Sequence, residues 1–217
     1  MNYINPDEIK KFFIILNNNE INYILIKNIA DELPNSLMDG KDIDILVYPD
    51  SKTQYEEVMK KNNYHAHTHP LGIQNGWTFG YSLPEYQFWK KEDRPFSLYI
   101  DANFILCCKS FVPKTWVPLN RPINDSVWEN KIFDDKNEWW IMDDKNMLLY
   151  LLVRCIFDKN SFSDSYIFEI EKRKHFINKI DDKLRMTFYK YSTRLSELVM
   201  MGKYGEIIQD YIAFDNY

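Results

Sequence analysis

Two aspartates, Asp42 and Asp44, stand one residue apart in the apolar stretch DGKDIDILV, residues 39–47. Alternate side chains of a β-strand point to opposite faces, so the two carboxylates share one face and the isoleucines beside them share the other. A third aspartate, Asp101, lies at the centre of the strand-like stretch FSLYIDANFIL, residues 96–106. Carboxylates on neighbouring strands suit Mg²⁺, which favours octahedral coordination by oxygen. Protein-bound Mg²⁺ is often also coordinated by phosphate oxygens of the substrate. The pattern therefore predicts a metal site for phosphoryl or nucleotidyl transfer.

The elements that must position these aspartates follow the order helix, strand, strand, helix. Residues 6–18 begin with Pro-Asp-Glu and continue with an apolar stripe, which predicts a helix with acidic residues near its positive end. Residues 21–27 and 41–49 are rich in β-branched and aromatic residues and predict two strands. Residues 51–63 begin with a serine cap and carry apolar residues at helical spacing, which predicts a helix. Residues 96–106 predict a further strand that carries the third aspartate.

Beyond these elements the chain changes from strand-rich to helical. The sequences YHAHTHP and GWTFGYSL predict short strands, and the prolines of residues 109–124 predict an ordered crossing loop. SVWENKIF and EWWIM predict a hairpin around the turn DDKN. Four later stretches fit a period near 3.6 and predict helices: DKNMLLYLLVRCIFDK, SDSYIFEIEKRKHFINKI, DKLRMTFYKY and STRLSELVMMGKYGEIIQDYI.

The stretch ILIKNIADELPNSLMDGKDIDILV, together with LYIDANF, resembles the nucleotidyltransferase superfamily that includes DNA polymerase β and the aminoglycoside nucleotidyltransferases. Over about residues 10–106 it is most similar to small bacterial nucleotidyltransferase-like proteins often encoded among surface-polysaccharide genes. The resemblance implies an α/β (α+β) fold in which a small mixed sheet with flanking helices precedes a helical C-terminal region. We place the nucleotidyltransferase-like core at residues 1–124, and the hairpin and helical region packed on it at residues 125–217.

The resemblance also implies roles for particular residues. In the superfamily the paired acids and a third acid on an adjacent strand hold the metals, here Mg²⁺ or Mn²⁺, which carries over to Asp42, Asp44 and Asp101. Asp101 would also help to deprotonate the acceptor hydroxyl. The candidate nucleotide- or phosphate-binding residues are Lys27, Asn28, Gly40 and Lys41.

One departure from the superfamily concerns the turn after the first strand, where active members usually carry a Gly-Ser pair that holds the triphosphate. This chain has Lys27-Asn28 there, and a lysine can contact phosphate as a point charge without reproducing a glycine turn. The favoured reaction is transfer of a nucleotidyl or related phosphoryl group to a small acceptor, such as a sugar or surface-glycan precursor. One alternative is a phospho-alcohol transferase with a CDP-linked donor. Another is a catalytically inactive binding or regulatory module.

Composition excludes several classes of protein. With 45% hydrophobic and 27% charged residues, the 217-residue chain lacks the composition of a disordered protein. The net charge of −5 provides no overall basic field, so no nucleic-acid partner is expected. No uninterrupted apolar window reaches the roughly 18 residues of a membrane span.

Three cysteines without CxxC spacing predict buried free thiols in a reducing compartment, so we expect a cytoplasmic protein. Oligomeric state is not readable from the sequence.

Two further patterns leave alternatives open. His65, His67 and His69 alternate on one face of an extended segment, which fits a shared zinc ion or a partly exposed strand. The outer two are separated by roughly 13 Å along a straight strand, which favours the exposed strand. Arg154 stands in the apolar sequence LLYLLVRCIF and needs a partner, either an acid in the core or a phosphate in the cleft.

A last pattern combines aromatic and basic residues in GWTFGY and YQFWKKEDRPF, which includes Lys90, Lys91 and Arg94. Such a segment can stack a base or a sugar ring and meet phosphates. It also fits a packed sheet edge with a solvated basic turn, which we favour.

Overall fold

The computed structural model describes residues 2–67, 78–79, 87–93, 96–110 and 115–215. The strands in these ranges are β1 (Tyr23–Leu25), β2 (Asp42–Val47), β3 (His65–His67), β4 (Thr78–Phe79), β5 (Gln87–Asp93), β6 (Phe96–Asn103), β7 (Cys107–Lys109), β8 (Thr115–Pro118), β9 (Ile132–Asp134) and β10 (Trp139–Ile141). The α-helices are α1 (Pro6–Asn18), α2 (Lys52–Lys61), α3 (Arg121–Glu129), α4 (Asp144–Val153), α5 (Asp164–Arg173), α6 (Asp181–Phe188), α7 (Tyr191–Met200) and α8 (Tyr204–Ala213).

Shorter helical turns complete the description. A π-helical segment, Arg154–Lys159, continues α4, and a 3₁₀ segment, Lys174–Ile180, continues α5. Single 3₁₀ turns occupy Ile29–Asp31 and Pro49–Ser51.

Seven strands form one mixed sheet in the order β3-β5-β6-β2-β1-β10-β9. Strand β2 lies at its centre, parallel to β6 and antiparallel to β1. The β9–β10 hairpin extends the sheet because β10 pairs in parallel with β1, with Leu25 opposite Ile141. A second sheet has the order β4-β8-β7. The architecture is therefore mixed α/β, as predicted.

Helices cover both faces of the main sheet, and the alternation along β2 shows how. Ile43, Ile45 and Val47 pack in a core with α1 and α2, whereas Leu46 joins the opposite core with the C-terminal helices. Strand β1 is buried along its whole length because both of its faces are covered. The face of β2 that carries Leu46 is also the face of Asp42 and Asp44. The aspartates thus point towards the side of the sheet on which the C-terminal helices pack.

Most predicted elements are confirmed, and three predictions are wrong in part. The last predicted helix, residues 192–212, forms two helices, α7 and α8, because the chain turns at Gly202, which has a φ of 69°. The predicted crossing loop at 109–124 contains β8 and the start of α3. Pro122 falls in the first turn of α3, where the missing N–H of proline costs nothing, so this proline starts a helix. The hairpin is confirmed for β9 and β10, but residues 126–129, predicted as part of its first strand, belong to α3.

Other predictions fall partly outside the described residues. His69, Arg94 and most of GWTFGYSL lie there. The three cysteines are free; Cys108 and Cys155 are buried, and Cys107 is half-buried. No helix in the described ranges is both long and apolar enough to cross a membrane. The boundary between residues 124 and 125 stays a prediction.

Candidate active site

The three predicted aspartates come together on one face of the main sheet. Asp44 on β2 lies directly opposite Asp101 on the parallel strand β6, and Asp42 precedes Asp44 by one strand repeat. One carboxylate oxygen from each residue lies within 4.8 Å of the other two. The set offers oxygen ligands alone, which suits Mg²⁺ or Mn²⁺. These three side chains are therefore chemically fit to hold such an ion.

Burial and mutual repulsion govern the charge of this cluster. The pKa of the Asp101 carboxyl is raised well above its usual range by burial and then by the negative charges of Asp44 and Asp42. The positive charges of Lys27 and Arg154 oppose that rise. Without a bound metal ion, the cluster therefore holds more negative charge than its surroundings favour.

Asp101→Asn is expected to raise the unfolding temperature at pH 7, in EDTA, by about 2–4 °C, the shift that about 1 kcal/mol gives in a protein of this size. Asparagine keeps the shape of the side chain and removes one of three like charges. The gain should shrink as the pH falls, because Asp101 with a raised pKa takes up a proton in the folded state and then resembles asparagine. Thermal unfolding of both proteins over a pH series measures this difference.

The exposed Asp135, in the turn of the β9–β10 hairpin, provides the control. Asp135→Asn should leave the unfolding temperature nearly unchanged. A lower unfolding temperature for Asp101→Asn at neutral pH would contradict the repulsion described here.

Lys27 forms an ion pair with one of the three aspartates. Its Nζ lies 2.7 Å from Oδ2 of Asp44, and both side chains are largely buried. The backbone N–H of Ile26 donates to the carbonyl oxygen of Asp44. This hydrogen bond continues the β1–β2 pairing and positions Lys27 beside Asp44. Burial disfavours the charged form of Lys27, but Asp44, together with smaller contributions from Tyr150 and Tyr166, raises the pKa of Lys27 overall. Lys27 thus provides a positive charge beside the carboxylates.

The other predicted phosphate-binding residues shape the loop between β1 and β2. The side chain of Asn28 accepts a hydrogen bond from the N–H of Leu33 at 2.8 Å and donates to its carbonyl oxygen at 3.3 Å. Gly40 has a φ of 87° in the turn before β2, a conformation that favours glycine. Lys41 pairs with Glu32. Phosphate binding by Asn28, Gly40 and Lys41 stays a prediction.

Arg154 belongs to a network that the sequence only partly indicated. Its NH1 donates to Oδ2 of Asp158 at 3.2 Å, and its Nε donates to the hydroxyl of Tyr166 at 3.3 Å. Oδ1 of Asp158 accepts from the backbone N–H of Lys109 at 2.9 Å. Tyr150 and then Asp44 raise the pKa of Arg154, against the opposing effect of burial. Arg154 and Asp158 are four residues apart in a helical stretch, and this spacing predicts their ion pair from the sequence.

The basic and aromatic segment contributes to the same face. Phe88 on β5 lies opposite Asp101, and its ring stacks on Tyr99 at 5.5 Å between centroids. Nζ of Lys90 lies 5.7 Å from the centre of the Tyr99 ring. His65 is exposed on β3, opposite Lys90.

Within the described part of the chain, the three aspartates form the one group of at least three side chains suited to hold a metal.

The architecture is similar to those of solved nucleotidyltransferases. No protein-family model and no curated protein sequence matches the chain. The crystal structure of an antigenic nucleotidyltransferase-like protein from Paracoccidioides brasiliensis has a TM-score of 0.50 and 9% identity, over 96% of this chain and 92% of that chain. The lincomycin-bound crystal structure of a lincosamide antibiotic adenylyltransferase has a TM-score of 0.47 and 13% identity, over 80% of this chain and 98% of that chain.

The chain therefore has a nucleotidyltransferase-like fold, as the sequence predicted. A fold alone does not define a reaction, so donor, acceptor and chemistry must be argued from the site. The link to surface-polysaccharide genes stays a prediction.

Proposed function

We propose that this protein is a Mg²⁺-dependent nucleotidyltransferase that moves a nucleotidyl or related phosphoryl group from a nucleotide donor to a small acceptor. The observation that carries the proposal is the convergence of Asp42, Asp44 and Asp101 within 4.8 Å on one face of a nucleotidyltransferase-like sheet. A sugar or a surface-glycan precursor is the acceptor class that the sequence resemblance favours. A nucleotide donor and the free cysteines are both consistent with a cytoplasmic enzyme.

The aspartates would hold the metal, which supplies charge neutralisation at the reacting phosphate. In the transfer, an acceptor hydroxyl oxygen bonds to the α-phosphorus of the donor as the bond from that phosphorus to the departing pyrophosphate breaks. The hydroxyl proton passes to a carboxylate oxygen of Asp101. Asp101 is placed for this task because it lies on β6, directly opposite Asp44 of the parallel strand β2.

The experiment is a transfer assay with Mg²⁺ and each of the four nucleoside triphosphates, against a panel of hexoses, amino sugars and sugar phosphates. We expect one pair to give a product heavier by one nucleoside monophosphate, with release of one equivalent of pyrophosphate. EDTA should stop the reaction, and Mn²⁺ should restore it.

A parallel arm replaces the triphosphates by CDP-alcohols. Release of CMP with transfer of the phospho-alcohol would identify the other donor class predicted from the sequence. If no nucleotide were consumed in either arm by folded protein that binds Mg²⁺, the proposed activity would be wrong.

A further inference from the structure

Four basic side chains are linked by ion pairs, hydrogen bonds or charge to Asp44 or Asp158, and three of them come from outside the β1–β2 unit. They are Lys27, Lys109, Arg154 and Lys159. Lys27 pairs with Asp44, and Arg154 pairs with Asp158. Nζ of Lys109 donates to the carbonyl oxygen of Asp158 at 3.1 Å. The C-terminal part of the chain thus contributes positive charge to a site whose acids come from the sheet.

The π-helical segment explains how Arg154 and Lys159 contribute together. In an α-helix, residues five apart point in directions roughly 140° apart. In a π-helix the i→i+5 hydrogen bond brings such residues close to the same side. Arg154 is the first residue of the segment and Lys159 the last. The pKa of Lys159 is lowered by burial and then by the charges of Arg154 and Lys27.

The charge balance of the site changes when its carboxylates take a divalent cation. Asp44 is the ion-pair partner of Lys27 at 2.7 Å, and its charge also stabilises Arg154 and Lys159. A metal ion bound by Asp44 would compete directly for that carboxylate. Partly buried cations that lose their counter-charge are costly, so the metal-bound site calls for a compact polyanion. A polyphosphate chain supplies several charges and acceptor oxygens in the required space.

We propose that Lys27, Arg154 and Lys159 form the binding site for the polyphosphate of the donor, and that Lys27 couples this site to the metal. Lys27 pairs with Asp44 in the metal-free protein and turns to phosphate when the metal takes that carboxylate. This inference rests on the proposed function, because it assigns the donor half of the same site. In this site, three side chains, two of them from the helical region, bind the phosphates that the backbone of a Gly-Ser turn usually binds.

The coupling has a thermodynamic consequence. If metal binding releases Lys27 for phosphate, phosphate binding must tighten metal binding by the same factor. Replacing Lys27 by an uncharged residue should therefore move two affinities in opposite directions. Mg²⁺ alone should bind more tightly because its competitor is gone, whereas polyphosphate should bind more weakly.

Calorimetric titration with inorganic tripolyphosphate in excess Mg²⁺ tests the site without donor nucleotide or acceptor. We expect Lys27→Met, Arg154→Met and Lys159→Met each to weaken binding about tenfold or more, the effect of losing one charge-assisted hydrogen bond. Titration with Mg²⁺ alone should show tighter binding to Lys27→Met than to the wild type. Arg154→Lys, which retains the charge, should recover part of the lost tripolyphosphate affinity.

Lys91→Met is the matched control. Nζ of Lys91 lies 2.7 Å from Oε2 of Glu8, and the two side chains are about as exposed as those of the Lys27–Asp44 pair. Lys91 points to the other face of the sheet, towards α1, and its replacement should leave both affinities within about twofold, the spread expected for distant surface changes.

Unchanged tripolyphosphate binding in folded Lys159→Met and Lys27→Met would overturn the inference, and so would weaker binding of Mg²⁺ to Lys27→Met. Circular dichroism establishes folding for each variant. The two proposals can fail separately. If tripolyphosphate binds as expected but no transfer is found, the phosphate site is supported and the proposed activity is wrong. If transfer occurs but the variants bind tripolyphosphate like the wild type, the activity is supported and the phosphate site is wrong.

Discussion

Asp44→Asn is expected to abolish Mg²⁺ binding and to lower the rate of nucleotidyl transfer by at least about 10³-fold, since metal stabilisation of transferring phosphate amounts to several kcal/mol. Asp44 lies at the centre of the cluster, opposite Asp101 and in contact with Lys27. The substitution neutralises one of the proposed metal ligands and leaves the ammonium group of Lys27 without its charged partner. Calorimetry measures the metal affinity, and pyrophosphate release measures the rate.

Two further variants make the result specific. Asp42→Asn removes another carboxylate of the cluster and should have an effect of the same order. Asp50→Asn changes an exposed aspartate just after the same strand and should leave both measurements close to those of the wild type. Folded Asp44→Asn that bound Mg²⁺ with wild-type affinity would show that these carboxylates are not the metal ligands.

Trp139→Ala is expected to destabilise the protein by about 3–5 kcal/mol, the usual cost of removing a fully buried tryptophan. Trp139 lies on β10, is 1% exposed and packs against Phe13 of α1 at 4.7 Å between ring centroids. A residue from the C-terminal part of the chain thus fills the core beneath α1. Urea unfolding followed by circular dichroism measures the change.

Phe133→Ala is the control on the same hairpin, because Phe133 is 36% exposed and should cost about 1 kcal/mol or less. The experiment also tests the predicted boundary between residues 124 and 125. If residues 125–217 unfold as a separate unit, Trp139→Ala will shift one of two transitions. Because the hairpin belongs to the main sheet, we expect one cooperative transition that shifts as a whole.

The acidic half of the site was accessible from the sequence because it depends on strand periodicity. Two aspartates separated by one residue in an apolar strand must share a face, and this requires no knowledge of the fold. The contribution of Asp101 required more, since it depends on β6 pairing in parallel with β2 so that Asp101 lies opposite Asp44. Only the family resemblance supplied that pairing.

The basic half was harder to predict because it depends on tertiary packing and on an irregular helix. Lys27 was identified, but its pairing with Asp44 is set by the register between β1 and β2. The sequence indicates only that Arg154 is a charge that needs a partner. Its direction comes from the π-helical segment, which has no reliable signature in a single sequence. The error at residues 109–124 has a similar origin, since a proline predicts a loop unless the helix it begins is recognised.

The most direct test of the metal site is a crystal structure of the protein soaked in Mn²⁺, with anomalous diffraction data collected at the manganese absorption edge. We expect an anomalous peak between the carboxylates of Asp42, Asp44 and Asp101, with Nζ of Lys27 moved away from Asp44. Saturation with Mn²⁺ that produced no peak among these three residues, or a peak elsewhere alone, would contradict this expectation.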